Sequence, residues 1–290
     1  MILLPNRSDF GGSCAARIHT LASLRGSIER IEAHGDAYLS DRVALGHADV
    51  DAVLQGGLAM GATHEVFAEG RQSAAATGFI AGLAGRAGLA GPAGLAGRAA
   101  ARRPLVWVRQ DFTEIESGAL SMNGLCELGL DPRLLVTVRA ADVDSALRTA
   151  ADALACDAVG MVVLEVWGEA RQLDLVASRK LTLAAQASGV TCLVLRVAAT
   201  LQPSTAETRW LIRAAHSPPV LGPAAVWGAP VFDAQLVRNR HGLVGRWIME
   251  WKCDECLFSE PAAHPQPVAA APAHRPHQAP ARTQQQRRAG

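Results

Sequence analysis

Lysine is nearly missing from this chain of 290 residues: only Lys180 and Lys252 are present, and the rest of the positive charge is arginine. A nucleotide-binding P-loop, GxxxxGK[ST], needs its lysine to reach the β- and γ-phosphates. The first 179 residues hold none, which excludes the usual form of that chemistry there. The formal net charge is only +1, so no global field announces a nucleic-acid or membrane partner. No apolar run approaches the roughly 18 residues of a membrane span. Met1-Ile2-Leu3-Leu4-Pro5 is too short for a signal-peptide core and lacks a basic leader. Six scattered cysteines, most of them inside apolar runs such as Val190-Thr191-Cys192-Leu193-Val194, read as free thiols in a reducing compartment. The expectation is a cytoplasmic protein without a disulfide framework.

What is present is apolar patterning. With 49% hydrophobic residues the chain can bury one sizeable core. Short, mostly branched runs predict strands at 63–67, 104–108, 134–138, 159–165 and 191–197, with helices at 73–87, 116–128, 142–155 and 170–188 between them. This alternation predicts an α/β fold, a doubly wound and mostly parallel sheet with helices on both faces. A final pair, 232–239 and 243–251, turns at His241-Gly242 and predicts a carboxyl-terminal antiparallel hairpin at the sheet edge. Three divisions follow: an amino-terminal helical segment over 1–50, a core over 51–258, and a disordered Pro/Ala/His/Arg tail over 259–290. In the first, residues 14–34 have a helical apolar stripe that either packs on its own core or docks on another protein.

A Gly/Ala-rich insertion near 82–103 carries a repeated hexad, Gly82-Leu83-Ala84-Gly85-Arg86-Ala87, which recurs at 88–93 and 94–99. Each helical glycine costs about 1 kcal/mol relative to alanine, so only the first hexad is expected to finish a helix. The tail histidines His264, His274 and His277 lack the spacing of a metal site. Cys253-Asp254-Glu255-Cys256 has no second CxxC to complete four zinc ligands and is read as structural.

The most informative stretch runs from the Gly56-Gly57-Leu58-Ala59-Met60-Gly61 turn through His64-Glu65-Val66-Phe67 to Ala75-Ala76-Thr77-Gly78-Phe79. It is laid out like the entrance to a P-loop, with Gly70, Ser73, Ala74 and Thr77 in a vestigial loop and Ala74 or Ala76 where the lysine would stand. Together with Val162-Val163-Leu164-Glu165, whose Glu165 takes a Walker B-like position, this stretch resembles RecA-type ATPases. Val106-Trp107-Val108, Leu236-Val237-Arg238-Asn239-Arg240-His241-Gly242 and Trp247-Ile248-Met249-Glu250-Trp251 bring the resemblance to the ImuA family within the RecA/SulA-like superfamily. These are RecA-like accessory proteins of a bacterial damage-inducible mutagenesis cassette.

The resemblance implies a pseudo-ATPase without catalytic residues, metal or required cofactor, retaining at most weak ATP binding. Its implied role is translesion synthesis in the SOS response, beside ImuB, a Y-family-like protein, and a DnaE-type error-prone polymerase, with RecA as a further partner. DNA contact is expected to be indirect or weak. Ala199 to Thr205 stands for a DNA-binding loop but is uncharged, and Arg209, Trp210 and Arg213 are expected on a helix with Trp210 inward. Asp111 falls near an activating carboxylate position. Arg238, Arg240, Trp247, Met249 and Trp251 are candidates for partner binding, because aromatic and arginine clusters dominate interface hot spots. The alternative is that the tryptophans fill the core. A second reading of the whole chain is a SulA-like inhibitor of cell division.

Overall fold

A computed structural model describes residues 42–89, 103–217 and 228–261. The helix expected at 14–34, most of the insertion beyond the first hexad, and the tail histidines lie outside them. A ribbon of β1 (Arg42–Val43) and β2 (Leu58–Ala59) brackets α1 (Ala48–Val53). Then follow β3 (Thr63–Ala68), α2 (Ser73–Leu89), β4 (Leu105–Gln110), α3 (Asp111–Ser117), α4 (Met122–Glu127), β5 (Leu135–Ala140) and α5 (Val143–Leu154). After β6 (Met161–Trp167), α6 (Leu175–Ser188) and β7 (Thr191–Val197), the elements among the described residues are all strands: β8 (Thr208–Ala214), β9 (Val231–Asn239), β10 (Gly245–Lys252) and β11 (Leu257–Ser259).

Nine strands form one sheet in the order β11-β10-β9-β8-β3-β7-β6-β4-β5. From β5 to β8 neighbours pair in parallel, and β8 to β11 pair antiparallel. This is an α/β sheet with a RecA-like layout. Helix α2 covers one face, while α5 and α6 cover the other. Local chemistry explains the helix ends. Asp142 accepts from the Ser145 amide and starts α5 with a reciprocal cap, and Gly189 ends α6 in the left-handed region at φ 75°. Among the described residues, no helix is long and apolar enough to cross a membrane.

The face under α2 concentrates the aromatic side chains. Phe79 lies 5.7 Å from Trp210, 5.6 Å from Phe232 and 5.2 Å from Phe258 between ring centroids. These rings reach the helix because Gly82 gives them room. A Cβ there would stand 2.9 Å from Phe258 Cζ and 3.1 Å from Trp251 Cε3. Burying Phe79 alone contributes roughly 1.5–3 kcal/mol.

Three expected elements differ. Residues 208–214 form a strand rather than a helix, with Trp210 and Ile212 buried under α2 and Arg209 and Arg213 on the other face. The helix expected at 116–128 is two short ones, parted at Gly118 (φ 79°). The final hairpin is not the sheet edge, since β11 pairs outside β10.

Candidate functional site at the carboxyl ends of the parallel strands

In open α/β sheets, ligands bind beyond the carboxyl ends of the strands, and the residues from the P-loop-like stretch converge there. Glu69 alone separates β3 from a 3-10 turn over Gly70–Gln72, which passes directly into α2 at Ser73. No residue from Glu69 to Ser73 has a positive φ, so the αR-αL form of a phosphate nest is not present there. The Trp167 ring closes over the turn, with its Cζ2 only 3.3 Å from where a Gly70 Cβ would lie. Glu69 adds a carboxylate to the same spot, bonded to Arg71 at 2.9 Å and paired with Arg213 at 3.4 Å. Ala74 is exposed, Thr77 is half-buried, and neither brings a charge. The loop expected between the strand and the helix is instead a 3-10 turn wound directly into the helix entry.

Glu165 is buried two residues before the end of β6, and both of its oxygens are occupied. Oε2 accepts from Arg109 Nε at 2.7 Å and from Trp107 Nε1 at 2.8 Å, while Oε1 accepts from Arg109 Nη2 at 3.2 Å. Arg109 also donates to the Gly118 carbonyl at 3.1 Å and to Ser117 Oγ at 3.2 Å. A carboxylate committed to a guanidinium is not a free metal ligand. Asp111 pairs instead with Arg139 at 2.9 Å on the surface.

The opposite face holds a second cluster. Glu65 Oε2 accepts from Arg209 Nε at 2.7 Å and from Ser204 Oγ at 2.8 Å. Arg209 and Arg196 both lie against the Phe67 ring, 5.4 and 5.7 Å from its centroid. Arg196 is 1% exposed, and its Nε and Nη2 have no hydrogen-bond partner among the described residues. Burial pulls its pKa below the ordinary arginine range, against the nearby Glu65 and Glu169. The uncharged loop after β7 is tied down: Glu169 accepts from the Thr200 amide at 2.7 Å and from Gln202 Nε2 at 3.2 Å. Hydrogen bonds from Thr200 hold the Glu169 carboxyl below its usual range.

His64, from the motif segment, is buried within hydrogen-bond reach of Thr208 Oγ1 and the Ala59 carbonyl, both at 2.8 Å. The carbonyl needs a proton on Nε2, and burial favours the neutral ring, in which Nδ1 then accepts from the Thr208 hydroxyl. Desolvation lowers its pKa to about 4.

The partner-binding candidates divide. Met249 and Trp251 are fully buried under α2, and Trp247 packs on Trp210 with centroids 6.3 Å apart. The tryptophan-rich face of β10 is therefore core, which corrects its reading as a docking face. Alternation left both options open in the sequence, and the presence of α2 decides it. The exposed side of β10 carries Arg246, bonded to Asp233, and Ile248. Arg238 donates to the Ser204 carbonyl at 2.6 Å, and Arg240 is exposed. Sequence reasoning missed Arg109 and Arg196. Their signal was a lone arginine inside an otherwise apolar strand, Val106-Trp107-Val108-Arg109 and Leu193-Val194-Leu195-Arg196.

No family model matches this chain, and no curated protein matches it.

Proposed function

We propose that this chain is a non-catalytic RecA-like subunit of a mutasome, a cytoplasmic scaffold supporting error-prone translesion DNA synthesis during the SOS response. Its partners in this reading are an ImuB-like Y-family homologue and a DnaE-type polymerase, with RecA as a further candidate. The observation that carries the non-catalytic half is Glu165: the carboxylate in the Walker B-like position is neutralised by Arg109 rather than available to Mg²⁺. The wound turn at Gly70–Gln72 supports the same reading. The partner half rests on the motif resemblance over residues 64–79, 106–108 and 236–251. With the tryptophans inside, the docking face becomes the outer side of β9 and β10, around Arg238, Arg246 and Ile248.

The test is co-purification of the full chain with the ImuB-like and polymerase partners, with and without single-stranded DNA. A stoichiometric complex is expected, lost on Ile248→Asp in a variant that keeps its near-ultraviolet circular dichroism. Absence of any complex from folded chain would overturn the reading. If overexpression then gives filamentous cells without DNA damage, the SulA-like alternative takes its place.

A further inference from the structure

Two exposed apolar patches lie far apart on the sheet and carry opposite charge. The first is the β9–β10 tip, where Leu243 is 76% and Val244 58% exposed. Beside them Arg240 is exposed and makes no ion pair among the described residues. The tip is fixed rather than loose. Asn239 Nδ2 donates to the carbonyls of Val53 and Leu243, both at 3.1 Å, and Gln55 Nε2 donates to the His241 carbonyl at 2.6 Å. The second patch is α3, where Ile115 is 77% and Phe112 45% exposed. Glu116 beside them is exposed and likewise without an ion pair among the described residues, whereas Asp111 and Glu114 share Arg139. This helix is fixed too, since buried Arg109 holds Ser117 and the Gly118 carbonyl at its end.

We infer that these patches are the two halves of one contact, through which copies of this chain associate head to tail. Leu243 and Val244 of one copy meet Phe112 and Ile115 of the next, and Arg240 meets Glu116. Pre-fixed surfaces lose little freedom on binding, and apolar side chains flanked by one charge of opposite sign on each patch supply both attraction and register. Topology sets the symmetry. Four strands separate β9 from β4, and the two strands run in opposite directions. At about 4.8 Å per strand the patches lie roughly 24 Å apart across the sheet, and at opposite ends of it. One molecule cannot close the pair on itself, and a head-to-tail contact leaves a free tip at one end and a free α3 at the other. The patches are small, so the association is of the weak class that buries less than about 1,200 Å². It needs no second protein and stands independently of partner binding.

The test is sedimentation velocity on the full chain from roughly 1 μM to 1 mM, the range of weak complexes. The sedimentation coefficient is expected to rise with concentration. Leu243→Asp and Ile115→Asp should each abolish the rise; both positions are exposed, and near-ultraviolet circular dichroism verifies that both variants keep the native fold. Mixed in equal amounts they should form a one-to-one dimer that grows no further, because each supplies the face the other has lost. Arg240→Glu and Glu116→Arg should each weaken association, and the double variant should restore it. A sedimentation coefficient flat across the series overturns the inference. So does association that both aspartate variants leave intact, or a mixture that stays monomeric.

Discussion

Arg109 and Arg196 each stand near the carboxyl end of a buried parallel strand, with only β6 between their strands, yet they meet opposite circumstances. Arg109 has a carboxylate, a hydroxyl and a carbonyl around it. Arg196 has the face of Phe67 and, among the described residues, no hydrogen bond at Nε or Nη2. The parallel strands carry five buried charges: Glu65, Arg109, Glu165, Arg196 and Arg209. Glu65 takes Arg209 and Glu165 takes Arg109, which leaves Arg196 as the fifth, without an ion pair among the described residues. Burial alone thus says little about whether a charge supports a fold; the inventory of partners decides it.

The largest effect expected from this contrast comes from stranding the satisfied arginine. Glu165→Ala leaves Arg109 buried without its anion and should cost about 3–5 kcal/mol, read as a lower urea midpoint. Removing both charges as Arg109→Met with Glu165→Leu should be near neutral in the same assay, since a well-packed apolar pair replaces a buried ion pair at little cost. If the double variant is as unstable as the single, the pair does more than compensate itself.

His64 buries a base in a third way, by giving up its proton. Between pH 6.5 and about 4 the unfolded chain binds a proton that the folded chain refuses. The stability is present above pH 6.5 and is lost as pH falls through that window, by roughly 3 kcal/mol at its lower end. Urea midpoints at pH 7 and pH 4.5 should differ accordingly, and His64→Gln should flatten the difference. The smallest effect, and the only one of opposite sign, belongs to Arg196. Replacing it with methionine removes a buried charge without an ion pair among the described residues and should raise stability by about 1–3 kcal/mol, with the midpoint moving up. A fall in stability would mean that stacking on Phe67 outweighs the missing hydrogen bonds.

Much of the parallel half was legible from residues alone. β7 was expected at 191–197 and occupies that span, and the helix expected at 142–155 is α5, capped by Asp142 at the first of those residues. Both depend on local signals: an unbroken apolar run and a capping side chain. β8 was not legible because Arg209, Trp210 and Arg213 fit a helix face as well as a strand. The deciding signal, Trp210 and Ile212 inward with Arg209 and Arg213 opposite, has period two but is only two repeats long. The inward turn of Met249 and Trp251 depends on α2, more than 160 residues earlier in the chain, which no local pattern reports. At the site, Glu165 was placed correctly in the sheet, but its partner was not. Arg109 is 56 residues away and becomes a neighbour only because β4 and β6 pair.

The fit of Trp251 and Phe258 onto α2 at Gly82 also has a meaning for how the protein is made. The ribosome finishes the helix about 170 residues before it supplies the rings that cover it. At roughly 5–20 residues per second, the strip of the helix around Gly82 waits on the order of 10–35 s for its cover, while Trp210 and Phe232 reach Phe79 sooner. During that interval the nascent chain is at its most adhesive. A release of synthesis before Trp251 therefore leaves the Gly82 strip of the helix bare, an apolar surface of the kind chaperones hold.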